Sequence, residues 1–220
     1  MRVAIYIDGF SFYYACFSGK TKLAFAALKW VDLQLLANRL FPDDDIAVVH
    51  YFSAIAPSPP DDPGQANRHL FYLEALRTLQ LVQVHVGKFT KSKREVALAA
   101  PSFGIATRQT AYVWQEKQSD VALAVQMLGD AFRGVADTLV VVTNDSDFVP
   151  VVRAVRSLTN VNVGIISPDK TISGELSKAA DFAHLFDKGL LAVSQLPNPV
   201  VTAEGRTIYK PARWESTADG

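Results

Sequence analysis

Thr138-Leu139-Val140-Val141-Val142-Thr143-Asn144-Asp145-Ser146-Asp147-Phe148 changes character twice within eleven residues. Its first part is unbroken, apolar and β-branched, the pattern of a parallel strand buried on both faces. The run then stops in two carboxylates, Asp145 and Asp147, flanking Ser146. Beyond them Val151, Val152, Val155 and Leu158 recur at helical spacing, and Pro150 sits in a first turn that tolerates it. The stretch therefore reads as a buried strand, a carboxylate-bearing turn and a helix. In open α/β sheets the crevice beyond the carboxyl ends of the strands is where ligands bind. Two acids placed there are costly unless a cation joins them, and a divalent metal ion is the natural candidate.

The same logic recurs upstream. Residues 2–7 are a short apolar run ending in Asp8-Gly9, followed by the aromatics Phe10, Phe12, Tyr13 and Tyr14. Residues 31–40 have the stripe of an amphipathic helix, 46–55 read as a second strand, and the proline- and aspartate-rich 57–64 as a loop. A helix is expected over 65–79 and a third strand over 81–86. Residues 88–116 fit an extension or hairpin beside the sheet, with a turn at 101–104. Ser119 is placed to cap a helix running to Arg133, whose apolar stripe is Val121, Val125, Leu128 and Phe132. Asp120 falls in its first turn, where the macrodipole favours a negative charge. A fifth strand is expected over 161–166 and a last helix over 173–186.

Strands alternating with helices predict an α/β fold: a parallel sheet of about five strands with helices on both faces. The predicted domain covers 1–190. Residues 191–220 turn to proline and polar residues, the composition of a tail that wraps on the surface or frays.

Bulk properties narrow the function classes. The 22 basic and 22 acidic residues cancel, so no global cationic field announces nucleic acid, although a local basic rim serves the same purpose. Cys16 is the only cysteine, which leaves no disulfide and no cysteine-based zinc site within one chain. No run of about twenty apolar residues suggests a membrane span, and the chain opens on a strand rather than a leader. The expectation is a cytoplasmic protein, with homodimerisation as the common default for its size.

Asp8, Asp120, Asp145 and Asp147 thus fall at strand ends and a helix start on one edge of the sheet. Their convergence makes sense around a hard cation such as Mg²⁺ or Mn²⁺, which activates water and stabilises charge on a phosphoryl oxygen. Each acid also has a plain structural reading. Asp8-Gly9 makes a turn, Asp120 offsets a helix dipole, and Asp145 or Asp147 caps a helix, with Asn144 or Ser146 able to share that task. The set carries the metal reading, and no single member does.

Other motifs are missing. No GxGxxG follows the first strand, and neither GxxxxGK[ST] nor GxSxG occurs. His50, His69, His85 and His184 are scattered over different elements without ligand spacing and read as structural. Cys16 reads as a small apolar filler. Lys88, Lys91, Lys93 and Arg94, with Arg108 and Lys117, form the best basic set, flanked by Phe89, Tyr112 and Trp114 for stacking. The same set also fits a solvated charge run.

Three segments together resemble the NYN domains, ribonucleases within the PIN-like nuclease class: Tyr6-Ile7-Asp8-Gly9-Phe10-Ser11-Phe12-Tyr13-Tyr14, Glu116-Lys117-Gln118-Ser119-Asp120-Val121-Ala122-Leu123-Ala124, and Asn144-Asp145-Ser146-Asp147-Phe148-Val149-Pro150. The resemblance implies that Asp8, Asp120, Asp145 and Asp147 are catalytic and hold Mg²⁺ or Mn²⁺. It implies an RNA phosphodiester as substrate, with Lys117 placed to contact phosphate; Ser11, Asn144 and Ser146 beside the acids, and Lys91, Lys93 and Arg94 of the basic set, are the other expected contacts. Members often have Asn where Ser11 stands, many have Asp at the Gln126 position, and many have Gly at the Asn144 position. The expected function is a metal-dependent endoribonuclease. The alternative is a catalytically weak or inactive RNA-binding or regulatory module on the same fold.

Overall fold

The computed structural model describes residues 1–18, 27–97 and 107–215. The turn expected at 101–104 lies outside them. The fold is α/β, with one seven-stranded sheet in the order β4-β3-β2-β1-β5-β6-β7. Its strands are β1 (Arg2–Asp8), β2 (Asp45–Ala54), β3 (Val82–Ala97), β4 (Arg108–Lys117), β5 (Thr138–Val142), β6 (Asn162–Ser167) and β7 (Phe182–Leu185). Every neighbouring pair is parallel except β3 with β4, an antiparallel hairpin.

The helices are α1 (Gly9–Phe17), α2 (Leu33–Leu40), α3 (Gln65–Leu76), α4 (Ser119–Arg133), α5 (Val149–Leu158), α6 (Gly174–Ala179) and α7 (Leu190–Val193). They cover both faces because β1 alternates. Val3, Ile5 and Ile7 enter one core with residues of α1, α2 and α3, while Ala4 and Tyr6 enter the other with residues of α4, α5 and α6. β5 is buried along its whole length, as its uniform apolar run predicts.

The chain leaves β1 towards β2 and β3 on one side and later builds β5, β6 and β7 on the other. The strand order therefore reverses between β1 and β5, the place where open α/β sheets leave a crevice. In register, Ile7 pairs with Val142. Asp8 and Thr143, the next residue on each strand, consequently come out side by side.

Four sequence expectations are corrected. The sheet has seven strands rather than about five, because the hairpin adds β4 at one edge and β7 forms at the other. The helix expected over 173–186 stops at Ala179, and its second half becomes β7. Four residues are too few for a period to declare itself. The segment is held as a strand by Asp181, whose N–H donates to the Val163 carbonyl at 2.8 Å and whose carboxylate accepts from Val163 N, also at 2.8 Å.

Ser119 does not cap α4. It lies inside the first turn, preceded by Gln118 in the left-handed region (φ 86°), and its hydroxyl donates to Glu116 Oε1 at 2.5 Å. Most of the predicted α4 stripe faces outward: Val121, Val125 and Phe132 are 69%, 66% and 61% exposed, while Leu128 is half-buried against the core. The buried face carries Leu123, Met127, Asp130 and Ala131. Both rows have helical spacing, so periodicity alone does not choose between them. The polar choice succeeds because buried Asp130 is fully partnered. It accepts from Tyr6 Oη (2.9 Å), Gln126 Nε2 (3.0 Å to each oxygen) and Arg133 Nη1 (2.7 Å), and lies 3.1 Å from His50 Nε2.

The segment after residue 190 is tied down through residue 215. Leu191, Leu196, Val200 and Ile208 are core residues, the last two in a small antiparallel pair, β8 (Val200–Val201) with β9 (Thr207–Ile208). Trp30 Nε1 donates to the Pro197 carbonyl at 3.0 Å, and Trp214 packs on Trp30. Cys16 is buried, as expected of a filler. Among the described residues no helix is long and apolar enough to cross a membrane.

The turn from β1 into α1 needs Gly9. A Cβ there would lie 2.5 Å from the Phe52 carbonyl oxygen, which is sheet backbone. Gly9→Ala is expected to destabilise the protein by about 1–3 kcal/mol, the usual cost of overpacking. Gly174→Ala, whose Cβ meets nothing within 4 Å, is the control and is expected to leave stability unchanged or slightly higher. Urea denaturation of both variants checks this.

Candidate active site

Asp8 ends β1 and is the N-cap of α1. Its Oδ1 accepts from Phe10 N (3.1 Å) and Ser11 N (3.2 Å), while Oδ2 accepts from the Ser11 hydroxyl and from Thr143 Oγ1 (3.1 Å). One carboxylate thus ties the β1 terminus, the α1 start and the β5 terminus together. Burial is the largest influence on Asp8 and raises its pKa, opposed by those hydrogen bonds.

The turn after β5 is organised in the same way. Thr143 Oγ1 accepts from Asp145 N at 3.1 Å, and Asp145 Oδ1 accepts from Asp147 N at 3.0 Å, capping a 3₁₀ turn over Ser146–Phe148. Asp145, Ser146 and Asp147 are exposed. Asn144 faces the other way: its amide donates to Asp169 Oδ2 (3.0 Å) and its carbonyl accepts from Ser173 N (2.7 Å). Both ends of that side chain are spent on fixing the loop after β6.

Asp120, in the first turn of α4, senses the whole group. Its pKa is raised to about 6, first by the protein mass around it and then by the negative charges of Asp8, Glu116, Asp145 and Asp147. The four predicted acids therefore share one electrostatic neighbourhood. Glu116 belongs to it as well, and sequence reasoning missed it as a site residue. It accepts from Ser119 N (3.1 Å) and Ser119 Oγ (2.5 Å) and so steadies the start of α4. The available signal was a glutamate three residues ahead of a helix-start serine.

As they stand, no three acidic, histidine or cysteine side chains among the described residues are close enough to hold one metal ion. The donor chemistry nonetheless fits a divalent cation. Asp120, Asp147 and Asp145 Oδ2 accept no hydrogen bond among the described residues, and all are hard oxygen donors. The repulsion raising Asp120 is what a cation relieves. Asp8 differs, because its oxygens are already committed to four hydrogen bonds.

Gln126 is committed elsewhere too. It points at Asp130, where a second carboxylate would face a buried charge, so the polar amide is the compatible choice.

The hairpin divides the predicted basic set. Pairing of Phe89 with Glu116, Lys91 with Trp114 and Lys93 with Tyr112 puts these six residues on one face. Lys91 Nζ lies 4.2 Å from the Tyr112 ring centroid and 5.5 Å from that of Trp114. Phe89 packs edge-on against Phe10 at 5.8 Å, which ties the hairpin to the start of α1. Arg94 lies on the opposite face, bonded to Gln115 Oε1 (2.6 Å) and Ser92 Oγ (3.1 Å). Arg108 pairs with Glu95 at 3.8 Å. Lys117 is exposed at the β4 terminus, opposite Lys88.

A family model for the NYN domain matches residues 2–187. Among curated proteins, the chain is similar to 6-hydroxy-3-succinoylpyridine 3-monooxygenase HspA of Pseudomonas putida, with 31% identity over 97% of this chain and 75% of that protein. Among solved structures, it resembles a protein of unknown function from Vibrio parahaemolyticus, with a TM-score of 0.51 and 19% identity over 84% of this chain and 93% of the other. The last likeness bears on the fold alone.

Asp120 binds its proton more tightly folded than unfolded. Between about pH 4 and pH 6 the native state then holds the extra proton, so this group makes stability fall as pH rises through that window. Asp120→Asn is expected to be more stable than wild type at pH 8, with the difference vanishing near pH 4. Carboxyl-carbon NMR on wild type should give an Asp120 midpoint near 6, and Asp145→Asn should lower it.

Proposed function

We propose that this chain, which belongs to the NYN family, is a metal-dependent endoribonuclease whose acidic edge takes the scissile phosphodiester. The geometry that carries the reading is Thr143 Oγ1, which donates to Asp8 and accepts from Asp145 N and so sets the acid after β1 beside the turn bearing Asp145 and Asp147; the raised pKa of Asp120 agrees with a shared acidic neighbourhood. Asp120, Asp145 and Asp147 are the residues to hold Mg²⁺ or Mn²⁺. Such an ion, when bound, lowers the pKa of water and neutralises charge developing on a phosphoryl oxygen.

The chain supplies the rest. Asp8 fixes the Ser11 and Thr143 hydroxyls and keeps the two strand ends in place. Asn144 anchors the Asp145–Asp147 turn through Asp169 and Ser173. Lys91 and Lys93 meet backbone phosphates while Tyr112 and Trp114 stack unpaired bases, which favours single-stranded RNA. Ser11, Ser146 and Lys117 are at hand for further contacts with the substrate.

Two other readings rest on particular findings. The committed oxygens of Asp8, with no closed three-ligand set among the described residues, favour an RNA-binding module without turnover. The Pseudomonas relative favours chemistry on a hydroxypyridine ring. Against a dinucleotide cofactor at the β1–α1 turn stands Asp8 itself. Its carboxylate already takes the helix N–H groups that a pyrophosphate needs.

Cleavage of single-stranded RNA with Mg²⁺ or Mn²⁺ tests the proposal. EDTA should abolish it, Asp120→Asn and Asp145→Asn should each lower kcat by about a hundredfold or more, and Trp114→Ala should act mainly on KM. RNA binding that survives EDTA without cleavage would establish the module instead. Turnover of 6-hydroxy-3-succinoylpyridine by a protein inert towards RNA would favour the third reading.

A further inference from the structure

Two histidines that sequence spacing sets apart form a continuous chain with Asp130. His85 on β3 pairs in register with Phe52 on β2, which makes it the diagonal neighbour of His50, and His50 Nδ1 lies 2.9 Å from His85 Nε2. Phe52 stacks on the His85 ring at 4.4 Å and 11°, and Tyr6 stacks on His50 at 5.1 Å. Both rings are thereby held in plane.

The network fixes the tautomers. Burial lowers the His50 pKa to about 4 and lowers that of His85 as well, so both are neutral near pH 7. Neutral His50 donates its Nε2–H to Asp130 and is left with Nδ1 as an acceptor. His85 must then donate from Nε2, which leaves His85 Nδ1 with a bare lone pair. That atom has no hydrogen-bond partner among the described residues, nor is it one of their buried unpaired atoms.

His85 lines a cleft of about 870 Å³ between β3 and α4, within the range of small-molecule sites, roughly 300–1,000 Å³. Its apolar walls include Val86, Val121 and Val125, the last two from the outward stripe of α4. Lys88 and Lys117 supply positive charge. The acids are not part of the cleft lining, but Lys117 and Gln118 are, and Asp120 follows two residues later.

We infer that this cleft is a nucleotide-base subsite, in which His85 Nδ1 accepts a ring N–H while Lys88 and Lys117 meet the attached phosphate. With the phosphate seated on Lys88 and Lys117, an acceptor set opposite the ring nitrogen selects among bases, the exocyclic amines of cytosine and adenine lying one atom aside. Uracil offers N3–H and guanine N1–H, whereas the corresponding ring nitrogens of cytosine and adenine are themselves acceptors and leave two lone pairs opposed. His50 and Asp130 are positioning residues that keep the proton on His85 Nε2. The choice of a nucleotide rests on the RNA reading above, and the cleft adds a preference for uracil or guanine beside the cut.

Calorimetric titration with UMP, GMP, CMP and AMP, in EDTA so that the acidic edge is silent, tests it. UMP and GMP should bind at least about tenfold more tightly than CMP and AMP, and His85→Leu should erase the difference. Nitrogen-15 NMR of the wild type provides a readout independent of any variant's folding. His85 should be the Nε2–H tautomer, with its Nδ1 resonance moving on UMP addition and not on CMP addition. Equal affinities, no detectable binding, or an Nδ1–H tautomer would overturn the inference even if RNA is cleaved. Selective UMP binding with no RNA cleavage would leave it standing and sink the nuclease reading alone.

Discussion

The Asp8 carboxylate is the joint on which the acidic edge depends. Burying a charged group is expensive unless every lone pair is answered. Here two backbone N–H groups of α1 and the hydroxyls of Ser11 and Thr143 answer it. Those donors come from both sides of the point where strand order reverses. Satisfying one carboxylate therefore also sets β1 against β5, and with them the turn that carries Asp145 and Asp147. The acid with the most structural duty is correspondingly the one with the least spare capacity to ligate, and that capacity falls to the exposed carboxylates around it.

A second constraint acts at the connector from β4 into α4. Gln118 takes a left-handed conformation that non-glycine residues seldom adopt, so it is held there by its surroundings. Glu116 bonds to Ser119 across it, and β3 presses against it at Gly87, where a Cβ would meet the Lys117 carbonyl at 2.7 Å. This tight corner turns Asp120 towards the acids while Lys117 and Gln118 border the neighbouring cleft. An acidic edge and a cleft lined by His85 thus share one short piece of backbone.

Much of this was legible in the sequence. The alternation of strands and helices, the uniform burial of β5 and the acids after β1 and β5 follow from composition and period. What was not legible depends on partners distant in the chain. Nothing local marks Asp130 as buried, because its acceptability comes from Tyr6 and His50 on other strands. Once Asp130 is inside, α4 must turn Val121 and Val125 outward. Likewise His50 and His85 lie thirty-five positions apart and meet only through parallel pairing of β2 and β3. β7 escaped because four residues at a sheet edge carry no period of their own. The sequence leaves capping open between Asp145 and Asp147 and the structure gives it to Asp145, whereas no local signal marks the heavier capping duty of Asp8.

The central claim is that the exposed acids at the switch point act together on one divalent ion. Titrating Mn²⁺ into isotope-labelled protein and following paramagnetic broadening tests it most directly. The account predicts that substoichiometric Mn²⁺ selectively broadens Asp120, Asp145 and Asp147 in wild type, and that Asp120→Asn markedly weakens the effect. Broadening that begins elsewhere on the surface, or none at millimolar Mn²⁺, would contradict it.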